Sequence, residues 1–148
     1  MTIKDICTIG FAKKPLKKFT GLLEKSKVTR LIDTRLNNTS QLAGYAKKDD
    51  LSYIMNLVGV KYVHDLSLAP TDDILTRYKK KQMSWDEYEQ RYLQLLYDRK
   101  VEMRIDEILQ DEVSCFLCSE DKPHHCHRRL LAEYLQKQNK EIKIIHLL

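Results

Sequence analysis

Acidic, basic and sulfur-bearing side chains follow several apolar segments of this 148-residue sequence, at the point where each segment ends. Asp33 and Arg35 come at the end of one such segment, and Cys118 and Glu120 come at the end of another. Carboxylates can transfer protons, guanidinium groups can bind phosphates or carboxylates, and a thiolate is a nucleophile. Residues of these types at segment ends indicate a polar binding or reaction site.

A second group of reactive side chains, His124-His125-Cys126-His127-Arg128, lies where a helical pattern begins. Free backbone N–H groups and the helix dipole favour negative charge at such a position. The thiolate form of Cys126, beside His127 and Arg128, could therefore be favoured. The same helix start could instead bind a phosphate or a carboxylate, with Arg35 or Arg128 donating hydrogen bonds to the anion.

A purely structural role is the alternative for the same charged residues. An ion pair between Asp33 and Arg128, or between Arg35 and Glu120, would lock two loops together without binding any ligand. Because buried charges must be paired, both alternatives place these side chains close together.

The four cysteines also raise the question of whether the protein has a metal site. Cys115 and Cys118, followed by Cys126, superficially resemble zinc-ligand spacing. However, Cys115 and Cys118 are three residues apart in one predicted strand, so their side chains face opposite sides. We therefore predict no structural zinc, and we predict four free thiols because the cytosol keeps thiols reduced. The sequence leaves any cofactor unknown.

The elements that must position these residues alternate between strand-like and helix-like patterns. Short apolar segments predict strands near residues 5–10, 29–34, 60–64, 113–118 and 142–147. This alternation predicts one α/β domain over residues 1–148, with a mostly parallel sheet and helices on both faces. Ligands of such sheets bind beyond the carboxyl ends of the strands, which adds Gly10, at the end of the first strand, to the candidates.

Helix starts are indicated by proline and by capping residues. The predicted starts are Pro15, Asp49 or Asp50, Thr71 or Asp72, Ser84 with Glu87 three residues on, and about His124. The stripe of Trp85, Tyr88, Tyr92, Leu95 and Leu96 is typical of a core-facing helix surface.

Composition limits the class of protein. The chain has 43% hydrophobic residues and a net charge of +5, which is typical of a globular protein compatible with anionic partners. It contains no uninterrupted apolar run long enough to span a bilayer, and its first residues lack the pattern of a signal peptide. We therefore expect a cytoplasmic protein without membrane contact, and make no prediction of its oligomeric state.

Four motifs together match a known family: Thr8-Ile9-Gly10-Phe11, Leu31-Ile32-Asp33-Thr34-Arg35, Ser40-Gln41-Leu42-Ala43-Gly44-Tyr45, and Cys118-Ser119-Glu120-x5-Cys126-His127-Arg128. The chain resembles the DUF488 family of uncharacterised bacterial and archaeal proteins over essentially its whole length. The common family form has valine at position 34, and a proline with Ser-Arg in the following loop. Residues 36–44 (LNNTSQLAG) and 68–71 (LAPT) instead resemble a branch of that family. The resemblance implies a small α/β fold with a shared polar site, and it supplies no activity.

The first functional hypothesis is an enzyme that acts on a nucleotide or nucleic-acid substrate. Arg35 and Arg128, with Gly10, would bind phosphate or carboxylate groups. Asp33 or Glu120 would act as general base or acid, with Cys126 or His127 poised nearby.

Two other classes of function remain open from the sequence. A non-catalytic module could bind nucleic acid or a nucleotide through lysines at positions 13–14, 17–18, 47–48 and 79–81. Cysteine-based chemistry, either sulfur transfer or phosphatase-like, is the third hypothesis. It ranks last because no Cys-x5-Arg loop is present: Cys118 leads to His124 and Cys126 leads to Ala132 at that spacing.

Overall fold

The computed structural model describes residues 5–39 and 44–148, so residues 1–4 and the Ser40-Gln41-Leu42-Ala43 part of the family-like motif lie outside it. Five strands form one sheet: β1 (Asp5–Gly10), β2 (Arg30–Asp33), β3 (Lys61–His64), β4 (Ser114–Cys118) and β5 (Lys143–Leu147). The strand order is β3-β2-β4-β1-β5, and every neighbouring pair is parallel. The predicted parallel sheet is confirmed.

The described helices are α1 (Leu16–Lys25), α2 (Lys48–Leu57), α3 (Asp72–Lys79), α4 (Trp85–Asp98), α5 (Ile105–Leu109) and α6 (His127–Gln138). Successive strand side chains point to opposite faces of the sheet, so each face has its own apolar cluster. Phe116 packs in a cluster with residues of α4 and α6, whereas Cys115 packs in a cluster with residues of α1 and α2. Helices on both faces are therefore confirmed. Within the described ranges, no helix is long and apolar enough to cross a membrane.

Two of the predicted helix caps are confirmed. The Thr71 hydroxyl accepts a hydrogen bond from the backbone N–H of Ile74 at the start of α3. The Ser84 hydroxyl accepts one from the backbone N–H of Glu87 at the start of α4. These bonds satisfy N–H groups that a helix cannot pair internally.

Pro15 directly precedes α1, as predicted, and the remaining two predicted starts are corrected. Helix α2 is capped by Lys47, whose carbonyl accepts from the N–H of Leu51, so Asp49 and Asp50 lie in the first turn. In the first turn, their negative charges still interact favourably with the helix dipole. Helix α6 begins at His127 and not near His124, because residues 119–125 form bends and turns beyond β4.

The sheet brings the ends of its central strands together. Gly10 of β1 lies beside Cys118 of β4, and Asp33 of β2 lies beside Leu117. The backbone N–H of Ala12 donates to the carbonyl of Ser119, which extends the contact of β1 and β4 beyond the sheet. Residues separated by more than eighty positions in the sequence therefore meet at one edge.

The hydroxyl of Tyr92 joins α4 to the segment that follows β3. It donates a 2.6 Å hydrogen bond to the carbonyl of Leu68, and the Tyr92 side chain is completely buried. The Tyr92→Phe substitution leaves this carbonyl unpaired, so we expect the free energy of unfolding to fall by about 1–2 kcal/mol. Urea denaturation measures the change. Tyr97→Phe, at a ring that is 65% exposed, is the matched control and should change stability by less than about 0.5 kcal/mol. Equal effects of the two substitutions would contradict this account of Tyr92.

Candidate functional site

The carboxylate of Asp33 is completely buried, and both of its oxygens accept hydrogen bonds. Arg35 donates from Nε to Oδ1 and from Nη2 to Oδ2, both at 2.8 Å. Oδ2 also accepts from the hydroxyl of Tyr62 and, at 3.4 Å, from the amide of Asn38. Burial raises the pKa of the Asp33 carboxyl, but the bonds and charge of Arg35 outweigh burial and leave the pKa below its ordinary value. Asp33 is thus an ionised, fully bonded group.

The pairing of Asp33 with Arg35 differs from both ion pairs that the sequence had suggested. The N–H of Thr34 donates to the carbonyl of Leu117, which adds one more backbone bond between the β2 and β4 chains after Asp33. The N–H of Arg35 then donates back to Oδ1 of Asp33 at 3.1 Å, which brings the two side chains together. Asp33–Arg128 and Arg35–Glu120 pairs are not formed in the described residues, so those two alternatives are wrong.

Arg35 keeps one hydrogen-bonding group free after this pairing. Its Nη2 also donates to the carbonyl of Ala46 at 2.8 Å, and its guanidinium lies 5.1 Å from the ring centre of Phe11. Its Nη1 is buried, and none of the described residues accepts a hydrogen bond from it. Because Arg35 lines a cleft, this unpaired amino group is a candidate anion-binding donor.

The cleft has a volume of about 1050 Å³ and lies beyond the ends of β2 and β4, against α3 and α4. Its wall combines three kinds of side chain. The cations are Arg35, Lys79 and Lys81, the rings are Tyr78, Tyr88 and His125, and the remaining reactive groups include Glu120, Cys118 and Cys126. Concave sites of this volume with a mixed apolar and polar lining are typical of small-molecule binding.

Arg128 lies behind the cleft and holds the loop that follows β4. Its guanidinium is completely buried, with Nη1 donating to the carbonyl of Glu120 and Nη2 to the carbonyl of Asp121. The Glu120 carbonyl passes so close to Gly10 that an added Cβ there would lie 1.5 Å from its oxygen. Gly10 therefore contributes through its missing side chain, which lets the loop approach the end of β1.

The side chains of Cys118 and Cys126 are joined by a disulfide. Our prediction of four free thiols is therefore wrong for this pair. The loop of residues 119–125 folds back over the end of β1. Cys126, the N-cap residue of α6, therefore lies near the end of β4. Cys7 and Cys115 are free and buried, and burial raises the pKa of the Cys7 thiol to about 11. Residues 5–39 and 44–148 contain no group of three or more His, Cys, Asp or Glu that could hold a metal ion.

His127 is buried between β2 and α4 and is uncharged at neutral pH. Its Nε2 donates to the carbonyl of Thr34 at 2.8 Å, and its ring lies edge-on to Tyr92 at 5.4 Å. Burial lowers the pKa of His127 to about 4, against an ordinary value near 6.5. The imidazole therefore acts as a neutral hydrogen-bond donor that joins α6 to the end of β2.

The candidate residues from the sequence fall into two groups. The residues that line the cleft are Arg35, Glu120, Cys126 and His127. The residues that lie behind it and support it are Asp33, Gly10 and Arg128. Their functional roles stay predictions. Sequence reasoning missed Tyr62, although a polar hydroxyl in the strand following Asp33 was an available signal.

Comparison with known proteins bears on the family. A family model described as "Domain of unknown function DUF488" matches residues 15–135. The chain belongs to the DUF488 family. No curated protein and no solved structure matches the chain. The match confirms the family resemblance, while the branch marked by residues 36–44 and 68–71 stays a prediction.

The close packing at Gly10 can be tested by adding one methyl group. Gly10→Ala places a Cβ against the Glu120 carbonyl and 2.9 Å from Nη1 of Arg128, so the loop must move. We expect a loss of about 3 kcal/mol in the free energy of unfolding. Gly21→Ala is the matched control, because no atom lies within 4 Å of the new methyl group in α1. It should be neutral or stabilise by about 0.5–1 kcal/mol. A small effect at Gly10 would show that the loop does not depend on it.

The low pKa of His127 predicts a loss of stability in mild acid. Between pH 6.5 and 4 the unfolded chain binds a proton at this residue and the folded protein does not. The free energy of unfolding should therefore fall by about 2 kcal/mol from pH 7 to pH 5 through His127. His127→Gln should reduce this pH dependence, with burial of His146 contributing part of what remains. The exposed His124→Gln variant is the control and should keep the wild-type slope. Equal slopes in all three proteins would contradict the assignment.

Proposed function

We propose that this protein is an enzyme whose nucleotide or nucleic-acid substrate binds in the cleft through its phosphate. The observation that carries the proposal is the buried, unpaired Nη1 of Arg35 in the cleft wall. Buried N–H donors are nearly always paired, so an unpaired one on a residue that lines a cleft favours a ligand that accepts a hydrogen bond. Phosphate oxygens are strong acceptors for a guanidinium.

The charge around Arg35 supports an anionic ligand. Asp33 neutralises one side of the guanidinium, while Lys79 and Lys81 add two exposed cations at the cleft. Of the lysine groups noted in the sequence, 79–81 supplies the lysines that line the cleft, whereas Lys14 is buried in a pair with Asp121. The binding-module hypothesis through a broad lysine surface therefore gains less support than a localised phosphate site.

The rings of the cleft support an aromatic group on the ligand. Tyr78 is half-buried and lies 4.9 Å from the buried Tyr88, while His125 stacks on Trp85 at 4.7 Å and on His124 at 4.2 Å. A partly exposed planar ring such as Tyr78 can stack on a nucleobase without distinguishing its sequence. A ligand whose phosphate contacts the cations and whose base stacks on the rings would be a nucleotide.

Glu120 is the carboxylate best suited to proton transfer in this cleft. Asp33 is buried and fully hydrogen-bonded, whereas Glu120 is exposed, lines the cleft and has no side-chain hydrogen bond to another described residue. An accessible carboxylate can reach a substrate proton, which a fully bonded one cannot do without breaking its own pairs. We therefore assign the general acid or base to Glu120, and we assign to Asp33 the role of orienting Arg35.

Binding is tested with nucleotides and the nucleosides that lack phosphate. We expect mono-, di- and triphosphates to raise the melting temperature of the wild type, and nucleosides to have little effect. Lys79→Gln with Lys81→Gln should weaken binding about tenfold, because two cations are lost beside the phosphate. Lys25→Gln with Lys137→Gln is the control, since it removes the same charge from exposed positions on α1 and α6. The lysines are chosen because replacing Arg35 would also unpair Asp33.

Catalysis is tested separately with Glu120→Gln. The variant should keep its nucleotide-induced rise in melting temperature and lose at least about a hundredfold in turnover, measured by mass spectrometry of nucleotides and short oligonucleotides. Binding without turnover in the wild type would favour the non-catalytic module. The absence of any ligand-induced shift would reject the proposed function.

A further inference from the structure

Cys118 and Cys126 are the reactive side chains that the proposed function does not use. Cys118 is the last residue of β4, Cys126 caps α6, and the two are joined by a disulfide. Both residues line the cleft, although only 2% of Cys118 and 3% of Cys126 is exposed. The other cysteines, Cys7 and Cys115, are completely buried in the apolar cluster on α1 and α2. The disulfide therefore lies in the wall of the cleft.

A buried cation lies against both sulfur atoms. Nη1 of Arg128 is 3.0 Å from Sγ of Cys118 and 3.6 Å from Sγ of Cys126. Within residues 5–39 and 44–148, the hydrogen-bond partners of this guanidinium are two carbonyls and these sulfurs, and none is a carboxylate. Its Nε has no partner there.

An unneutralised buried cation is costly, and an adjacent anion lowers that cost. Burial accordingly lowers the pKa of Arg128 to about 10. The disulfide gives the guanidinium no negative charge, whereas reduction would place a thiolate 3.0 Å from it. The surroundings of the pair thus stabilise its reduced form more than its oxidised form, which is the condition for a readily reducible disulfide.

We propose that Cys118 and Cys126 are a redox-active pair that exchanges with low-molecular-weight thiols in the cleft, and that Arg128 holds Cys118 as the thiolate. The reacting sulfurs and Arg128 are not among the proposed nucleotide contacts, so this thiol–disulfide exchange is independent of the proposed function, although the thiol enters through the same cleft. It also explains a disulfide in a protein whose sequence predicts a reducing compartment, since cytosolic disulfides are usually transient and reactive.

The reaction takes two steps and transfers two electrons. A thiolate of the first thiol attacks Sγ of Cys126, a mixed disulfide forms, and the bond to Cys118 breaks. Its electron pair stays on Sγ of Cys118, which becomes the thiolate beside Arg128. A second thiolate then attacks the sulfur of the first thiol in the mixed disulfide. The products are a free disulfide and Cys126, which takes a proton from water.

The charge of the cleft predicts which thiols react fastest. The cleft is lined by three cations, Arg35, Lys79 and Lys81, and by two carboxylates, Glu87 and Glu120. Cations exceed carboxylates by one, so an anionic thiol should be attracted and a cationic thiol repelled. Glutathione carries a net negative charge and cysteamine a positive one. After correction for the rate of each thiol with a small disulfide in free solution, glutathione should react several-fold faster at low salt. The preference should shrink in high salt. Equal corrected rates at low salt would contradict the approach through the cleft.

The pair itself is tested on the full chain in buffers of reduced and oxidised glutathione. Alkylation followed by intact-mass measurement should show two thiols appearing together. The reduced fraction should depend on the glutathione ratio as expected for a two-electron couple. Cys118→Ser and Cys126→Ser should each abolish this transition, whereas Cys7→Ala should keep it. Four free thiols under oxidising conditions would overturn the proposal. A disulfide that reduced glutathione opens only after unfolding would overturn it as well.

The role of Arg128 has its own measurement. Arg128→Gln should make the disulfide about tenfold harder to reduce, a shift of about 30 mV, whereas Arg128→Lys should stay nearer the wild type. If the Gln variant does not fold, the thiolate absorbance of reduced wild type near 240 nm gives the same information. One thiol should then ionise below pH 8.5. Titration of every thiol at or above that pH would overturn the assignment. None of these experiments contains a nucleotide, so their failure leaves the nucleotide proposal standing, and the reverse also holds.

Discussion

Arg128 connects three segments that come from distant parts of the chain. Its own helix, α6, begins beside the site, its hydrogen bonds hold the loop after β4, and that loop lies directly on Gly10 at the end of β1. A guanidinium that is completely buried must satisfy its donors locally, because water cannot do so. This requirement fixes the positions of the backbone carbonyls of Glu120 and Asp121. Because Glu120 belongs to the cleft wall, the position of the wall is fixed as well.

The two buried arginines of the site solve the same physical problem in different ways. Arg35 is neutralised by a carboxylate two residues away, and its Nη1 has no hydrogen-bond partner among the described residues. Arg128 has carbonyl and sulfur partners, and no carboxylate among the described residues is hydrogen-bonded to it. The site thus contains an unpaired donor on a residue of the cleft wall and, behind that wall, a buried cation without a directly bonded anion.

The sequence predicts the sheet well and the contacts of the site poorly. Apolar, β-branched segments mark the strands because a strand buried on both faces must be apolar throughout, and segment ends mark the edge where polar residues meet. Thr71 and Ser84 were predictable because a cap acts over three residues. The Asp33–Arg35 pair was not, since it depends on the path that the chain takes after β2. The disulfide was missed because general rules about compartments say nothing of the loop that returns Cys126 to Cys118.

The strand order also limits how this protein can fold. β4 lies between β1 and β2, so the first two strands of the chain cannot pair with each other and wait for residues 114–118. Every pairing of β1 joins residues more than a hundred positions apart. Such non-local contacts are slow to form, because a long loop must close before any of them contributes stability. A growing chain therefore exposes the bonding edges of both strands until most of it has been synthesised, and in that interval the edges are open to pairing with other chains.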